Sequence, residues 1–370
     1  MIMGLGNSAL SGNKGEWSEV YVLLKLLADG KMYAGDENLE KIAELDYVVR
    51  QILRDSRIYG YRDCSVVVSS DSGDEKVIPA SDFLSYSAKL LEEIKKGQSS
   101  FRIPEVEEFL EQIGCRSLKA PASEKADIRL LIHNPRSSRD LLFNYSIKSK
   151  LGSDFSLLNA SKSTNFIYAI DGIGLSDEEI GSINAIQGSK KIINRYKAIT
   201  SKGGRLRFIR PESDVLRDNL TIIDSALPEI IGELLITRES SGKTSMPELT
   251  RLLSESNPAG FHNSSEIPYY EVKIKRLLTA FVVGMVPKKI WSARFYVDGG
   301  YLIVREDGEV LAYHLMELST FEDLLFNFSY LERSSTSRHE YGTIYRDDAS
   351  GDLRLKLNLQ IRMGLSRKRP

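Results

Sequence analysis

Two cysteines in 370 residues, Cys64 and Cys115, are too few for a disulfide framework or a zinc cluster, and such scarcity fits a reducing compartment. The four histidines, His133, His262, His314 and His339, never fall at metal-ligand spacing, and no serine-hydrolase elbow occurs, which removes paired-histidine zinc enzymes and α/β-hydrolases. No apolar run reaches the length of a membrane span. Met1 to Gly6 lacks the basic start and long apolar stretch of a signal peptide, so the cytoplasm is the expected compartment, with no membrane partner. A net charge of −1 gives no global attraction to nucleic acid; a DNA-binding surface must come from local clustering. Gly4-Leu5-Gly6 has no room for the preceding strand that a dinucleotide fingerprint needs, and Gly242-Lys243-Thr244 has Thr237 where a phosphate-binding loop needs glycine. What remains, 42% hydrophobic and 27% charged residues, is an ordinary globular composition in a chain long enough for one large domain or two of usual size.

Asn13 followed by Glu16 predicts a capped helix from Glu16 to Ala28, with Trp17, Val20, Tyr21, Leu24 and Leu27 as its buried stripe. A second helix is expected near Leu45 to Leu53, a strand at Cys64 to Ser70, and helices at Phe83 to Lys95 and Pro104 to Gln112. Asp127 to His133 and Leu141 to Ser149 read as strands joined through the turn chemistry of Asn134 to Asp140, hence a hairpin. A strand at Thr164 to Ile170 and a helix at Asp177 to Ile199 follow. In the second half, helices are expected at Asp214 to Thr237, Pro247 to Ser256, Tyr269 to Val283 and Phe321 to Phe328. Strands are expected at Ala293 to Val297, Tyr301 to Val304, Val310 to His314, Tyr341 to Tyr345 and Leu353 to Ile361. The Arg367-Lys368-Arg369 tail is expected to fray. The fold class is therefore α/β, with a mixed sheet flanked by helices in residues 1–210 and an α+β region in 211–370; Ser240 to Lys243 is the most linker-like junction, and a boundary anywhere from about 200 to 245 is defensible.

The chemistry concentrates in the hairpin. Phe143, Tyr145 and Ile147 fall on one face of the second strand, with Asn144, Ser146 and Lys148 on the other. A carboxylate opening one strand and a lysine on its neighbour's polar face is the arrangement of PD-(D/E)XK nucleases, in which the acid two residues before the lysine is here Ser146. Cleaving a phosphodiester in DNA calls for a metal to activate water and neutralise charge, and Mg2+ prefers one or two carboxylates plus other oxygens. Asp127 would supply one carboxylate, the Ile147 carbonyl a further ligand, and Lys148 the charge that positions water or stabilises the phosphate. The second carboxylate must come from elsewhere: Glu19 on the first helix, with Glu16 and Asp154 as alternatives. The bland reading is that the two glutamates merely favour the helix dipole, and that Asp127 and Lys148 are surface residues.

Asn13 to Tyr21 and Leu23 to Lys31 resemble the opening of HpaII-type restriction endonucleases. Tyr145 to Ser149, Leu151 to Ser153, Leu157 to Ser161, Thr164 to Phe166, Ser335 to His339 and Leu357 to Arg362 resemble them too, so the likeness covers essentially the whole chain. It implies a PD-(D/E)XK enzyme of type II that cuts double-stranded DNA with Mg2+ at the palindrome CCGG. Some other cutters of CCGG-containing sites also resemble this chain in carrying serine before the lysine. A palindromic target implies a homodimer or sequential nicking, and a restriction system implies a cognate methyltransferase without direct contact.

Between Ser182 and Pro211 there is no acid, while Lys190, Lys191, Arg195, Lys197, Lys202, Arg205, Arg207 and Arg210 are basic, a density suited to phosphates. Its bland alternative is a solvated face balanced by acids elsewhere. Lys150 and Lys162 flank the end of the lysine-bearing strand. Reading CCGG needs donors to guanine O6 and N7, for which Arg338 with His339 comes first, then Asn159, Ser161 and Asn165. The alternatives of other function are a repair or structure-specific nuclease of the same fold and a catalytically inactive sequence-specific DNA-binding protein.

Overall fold

The computed structural model describes residues 10–70, 72–120, 126–134, 138–262, 267–294 and 298–365. The readings at Met1 to Gly6, at Pro135 to Ser137 of the hairpin turn, at the end of the strand expected over Ala293 to Val297, and at the basic tail lie outside these residues. The chain opens with α1 (Lys14–Asp29), β1 (Lys31–Gly35), β2 (Lys41–Arg54), β3 (Arg57–Arg62), β4 (Ser65–Ser70), β5 (Glu75–Pro79), α2 (Ala80–Lys96) and α3 (Pro104–Gln112), then β6 (Ile128–Asn134) and β7 (Arg139–Ser149). Next come β8 (Phe155–Leu158), β9 (Asn165–Asp171), α4 (Asp177–Asn184), α5 (Lys191–Ser201), β10 (Arg205–Pro211), α6 (Asp214–Ile223), α7 (Leu227–Ser241), α8 (Met246–Ser256) and α9 (Tyr269–Val282). The last elements are β11 (Gly300–Val304), β12 (Val310–His314), α10 (Leu318–Phe328), β13 (Ser329–Leu331), α11 (Thr336–His339), β14 (Ile344–Arg346), β15 (Leu353–Asn358) and β16 (Ile361–Met363). The mixed α/β class expected from the sequence is borne out. No helix among the described residues is long and apolar enough to cross a membrane.

The chain forms two compact units, residues 1–154 with 297–324, and residues 155–296 with 325–370. The expected 210/211 division falls at the end of β10, inside the second unit, and Ser240 to Lys243 is the end of α7 and the turn into α8. In the first unit nine strands run in the order β1-β12-β11-β7-β6-β2-β3-β4-β5. Because β1 also pairs with β2, six of them, β1, β12, β11, β7, β6 and β2, close into a barrel. The second unit holds a four-stranded sheet, β10-β9-β15-β14, and a three-stranded one, β13-β16-β8.

Helix α1 forms where the capping residues place it. Asn13 Oδ1 accepts from the Gly15 and Glu16 N–H groups while Glu16 Oε2 accepts from the Asn13 N–H, and Gly30 closes the other end at φ +68°. Its apolar residues run nearly round the helix, so it is buried on most sides, and Trp17, Val20, Leu23, Leu24 and Leu27 are fully inaccessible. Each such side chain contributes roughly 1.5–3 kcal/mol of burial, joining a core with Tyr145 and Ile147 of β7 and Leu302 of β11.

Four expectations are corrected. Leu45 to Leu53 is not a helix but the heart of β2. Its buried residues Tyr47, Val49, Ile52 and Arg54 are spaced two, three and two apart, because the pairing with β6 shifts between Val49 and Gln51. That bulge gives a strand a helix-like apolar spacing, and partners on both sides decide the outcome. The single helix expected from Asp177 is two, α4 and α5, parted near Gly188 at φ +103°. The helix expected from Asp214 is likewise split, where Asp224 turns extended and its side chain accepts from the Ala226 N–H. Ala293 and Arg294 are not in a strand, and strands β1, β3, β5, β8, β10 and β13 went unread.

Tight backbone packing seats β11 against its neighbours. Asp298 accepts from the backbone and side-chain amides of Asn144 at 2.9 Å each, and a Cβ on Gly299 would stand 2.1 Å from the Asn144 carbonyl oxygen. Gly300 has φ +138°, and a Cβ there would stand 2.0 Å from the Tyr313 carbonyl oxygen. Gly300→Ala is therefore expected to destabilise the protein by about 3 kcal/mol or more, seen as a fall of several degrees in the thermal unfolding midpoint; an unchanged midpoint would show that the strand is not held there.

Candidate active site

The hairpin pairs as expected, with Ile128 opposite Tyr145 and Asn134 opposite Arg139. Asp127, just ahead of β6, thus comes level with Ser146. Its backbone N–H donates to the Tyr145 carbonyl at 2.9 Å, and its Oδ2 accepts from the Ile147 N–H at 2.6 Å. Tyr145 and Ile147 are buried on the core face, which leaves Ser146 and Lys148 on the other, as the alternation predicts.

The first helix reaches the same strand. Ser18 Oγ donates to Ser149 Oγ at 2.8 Å, and Glu19, one residue on, lies within electrostatic range of Asp127 and Lys148. Burial first, then the charge of Asp127, push the Glu19 carboxyl up to about 7, against weaker pulls from Arg54, the Ala120 N–H and Lys148. Lys148 is shifted the opposite way: burial lowers it, while Asp127 and Glu19 partly restore it. Glu16 is engaged elsewhere. Despite some burial, its hydrogen bonds with Lys119 and the Asn13 N–H hold it below the usual carboxylate range. Asp154 lies in the loop after β7.

Two participants have no counterpart in the sequence pattern. Arg54, 3% exposed on β2, puts Nη2 3.6 Å from Glu19 Oε2 while donating to the Leu118 carbonyl at 2.7 Å. Nothing in the sequence marks it out from the other charged residues of β2, Lys41, Glu44, Asp46 and Arg50. Tyr301 on β11 sits opposite Ser146 in the parallel β7–β11 register, and Lys148 Nζ lies 5.2 Å from the centre of its ring.

The residues expected to hold or read DNA, apart from Lys150, lie in the second unit. Lys150 follows β7, its N–H bonded to the Val304 carbonyl. Asn159 is exposed after β8, and Ser161 caps a short 3-10 turn. Arg338 is exposed and His339 half-buried on α11, with the His339 imidazole lowered by burial and by the charges of Arg338 and Lys288. Asn165 is fully buried, its amide donating to Glu212 Oε2 and the His339 carbonyl at 2.9 Å and accepting from Asn358 at 2.7 Å. It is a tether beneath the Arg338–His339 turn, without access to solvent. In the basic stretch, Lys190 is exposed and Lys191 half-buried. Arg195 is buried on the carbonyls of Gly342, Asn184 and Ile186, while Lys202 and Arg207 pair with Glu179 and Asp171, so part of that stretch balances or supports the fold.

This cluster stands in a chain whose relatives cut DNA. The family described as HpaII restriction endonuclease matches residues 13–363. The chain belongs to the HpaII restriction endonuclease family. It is 38% identical to "Type II restriction enzyme HpaII" of Haemophilus parainfluenzae over 359 residues, covering 95% of this chain and 98% of that protein. No solved structure matches. As a member of the HpaII family the protein is a site-specific DNA endonuclease.

The Glu19 electrostatics carry a stability prediction. The unfolded chain releases this proton near 4.5 and the folded one near 7, so between those values the folded state holds more protons and loses stability as pH rises. In metal-free protein at pH 8, Glu19→Gln is expected to be more stable than wild type by up to roughly 3 kcal/mol, with the gain vanishing at pH 4. Urea unfolding at the two pH values measures it; a pH-independent difference would contradict the placement of Glu19 beside Asp127.

Proposed function

We propose that this protein is a Mg2+-dependent type II restriction endonuclease of PD-(D/E)XK type, hydrolysing double-stranded DNA at CCGG, and that Glu19 supplies the carboxylate missing at Ser146. The observation that carries the proposal is the convergence of Glu19 and Lys148 on Asp127, which is bonded to the Ile147 N–H of the Ser146-Ile147-Lys148 strand. The CCGG target rests on the resemblance carried by residues 13–31, 145–166 and 335–362.

The residues suit the ion. Among the described residues no group of three or more histidine, cysteine or acidic side chains gathers, so a metal here must be satisfied by two carboxylates and other oxygens. That is the donor set magnesium accepts, and a carboxyl pushed up to about 7 beside a second acid is a place where a divalent cation relieves repulsion. Asp127, Glu19 and the Ile147 carbonyl would hold it; when bound, it supplies an acidified water and neutralises charge on the phosphate. Lys148 offers a desolvated ammonium to a non-bridging phosphate oxygen or to the attacking water. Arg54 limits the repulsion between the two carboxylates before DNA arrives. Arg338 and His339 would read guanine edges, Asn159, Ser161, Lys150, Lys190 and Lys191 would hold the backbone, and Asn165 would fix the turn that carries Arg338. On this reading the first unit cuts and the second reads. A palindromic target calls for two copies of the chain or two successive nicks, and the paired methyltransferase would protect host sites without touching this protein.

Digestion of a DNA of known sequence with Mg2+, followed by mapping of the ends, is expected to give discrete fragments ending within CCGG. Asp127→Ala and Lys148→Ala should each reduce cutting by a factor of a thousand or so while retaining binding to a CCGG duplex. Smeared products, or wild-type rates from either variant, would overturn the proposal.

A further inference from the structure

Position 146 holds a serine, so no acid stands two residues before Lys148 on its own strand. The strand beside it offers a different support. Tyr301 pairs with Ser146 and Ile303 with Lys148 in the parallel β7–β11 register, so Tyr301 and Lys148 are diagonal neighbours on one face. Lys148 Nζ lies 5.2 Å from the centre of the Tyr301 ring, within cation–π range. The ring is not free to swing. Phe321 packs edge-on against it at 5.4 Å, and only 8% of Tyr301 is exposed. Its backbone is fixed by the Asp298–Asn144 hydrogen bonds and by Gly299 and Gly300, which pass carbonyl groups too closely for any side chain.

We propose that Tyr301 is a positioning residue of the cleavage site, its ring seating the Lys148 ammonium beside Asp127. A desolvated ammonium on a four-carbon stem has many rotamers, and a fixed aromatic face selects the few that point at the scissile phosphate. The inference rests on the proposed role of Lys148 and goes beyond it, because it gives that lysine an orienting partner that is not a carboxylate.

The test is single-turnover cleavage of a duplex bearing one CCGG at saturating Mg2+, with Lys148→Ala in the same series. Tyr301→Met fills the slot without a π face and is expected to slow cleavage roughly tenfold, with the metal-free affinity for the duplex unchanged within about twofold. Tyr301→Phe is expected to restore the rate to within about threefold of wild type. Pentafluorophenylalanine at 301 keeps the shape and reverses the ring quadrupole, so it should fall with Met rather than Phe, and it decides the matter if Met unfolds the protein. Equal rates for Phe and pentafluorophenylalanine would overturn the proposal, as would a Met variant that is folded and cuts like wild type. A Lys148→Ala variant that cuts normally would instead remove the underlying role of the lysine.

Discussion

The 2.6 Å hydrogen bond from the Ile147 N–H to the Asp127 carboxylate ties an acid to the strand that carries the lysine. It works only because β6 and β7 pair with Ile128 opposite Tyr145, which brings Asp127 level with Ser146. A slip of one residue would turn Lys148 into the core and Tyr145 out of it. The buried ring of Tyr145 and the burial of Ile147 make that slip costly, so the hydrophobic pattern of β7 fixes the chemistry on its opposite face. Helix α1 then docks at the end of the same strand through Ser18 and Ser149, and Glu19 follows from the helix geometry.

The arrangement is electrostatically strained. Two carboxylates converge in a partly desolvated place, one of them pushed up to about 7, with a buried arginine on one side and on the other a lysine whose ammonium burial disfavours. Such sites trade folding stability for readiness toward a cation and a phosphate. The second unit uses a different device. Its buried amide of Asn165 joins Glu212, Asn358 and the backbone of His339, while Arg333, just before the Ser334–His339 segment, pairs with the buried Glu239. In both networks a buried polar group anchors the segment that carries the candidate residues.

Local signals carried much of the fold. The Asn13–Glu16 capping box, the period-two alternation of β7, and the hairpin beginning at Asp127 are present as read, because each depends on residues close in sequence. What escaped depends on distant partners. The bulged strand β2 takes its identity from β1, β3 and β6, and the closure of β1 onto both β2 and β12 leaves no trace in any window of residues. The site divides the same way. Asp127 and Lys148 are a local pattern, whereas the sequence left Glu16 and Asp154 open beside Glu19, and it is the structure that engages Glu16 with the Asn13 N–H and Lys119. Tyr301 and Arg54 join the site only through pairings about 155 residues away in one case and across a helix in the other.

The central claim is that Glu19 performs from a helix what an acid at position 146 performs from the strand. Moving the carboxylate tests it most directly: Mg2+-dependent cleavage of a CCGG duplex by Glu19→Ala, by Ser146→Glu, and by the protein carrying both. The account predicts that Glu19→Ala is inactive and that adding Ser146→Glu restores a measurable part of the wild-type rate. Full cutting by Glu19→Ala alone would contradict it.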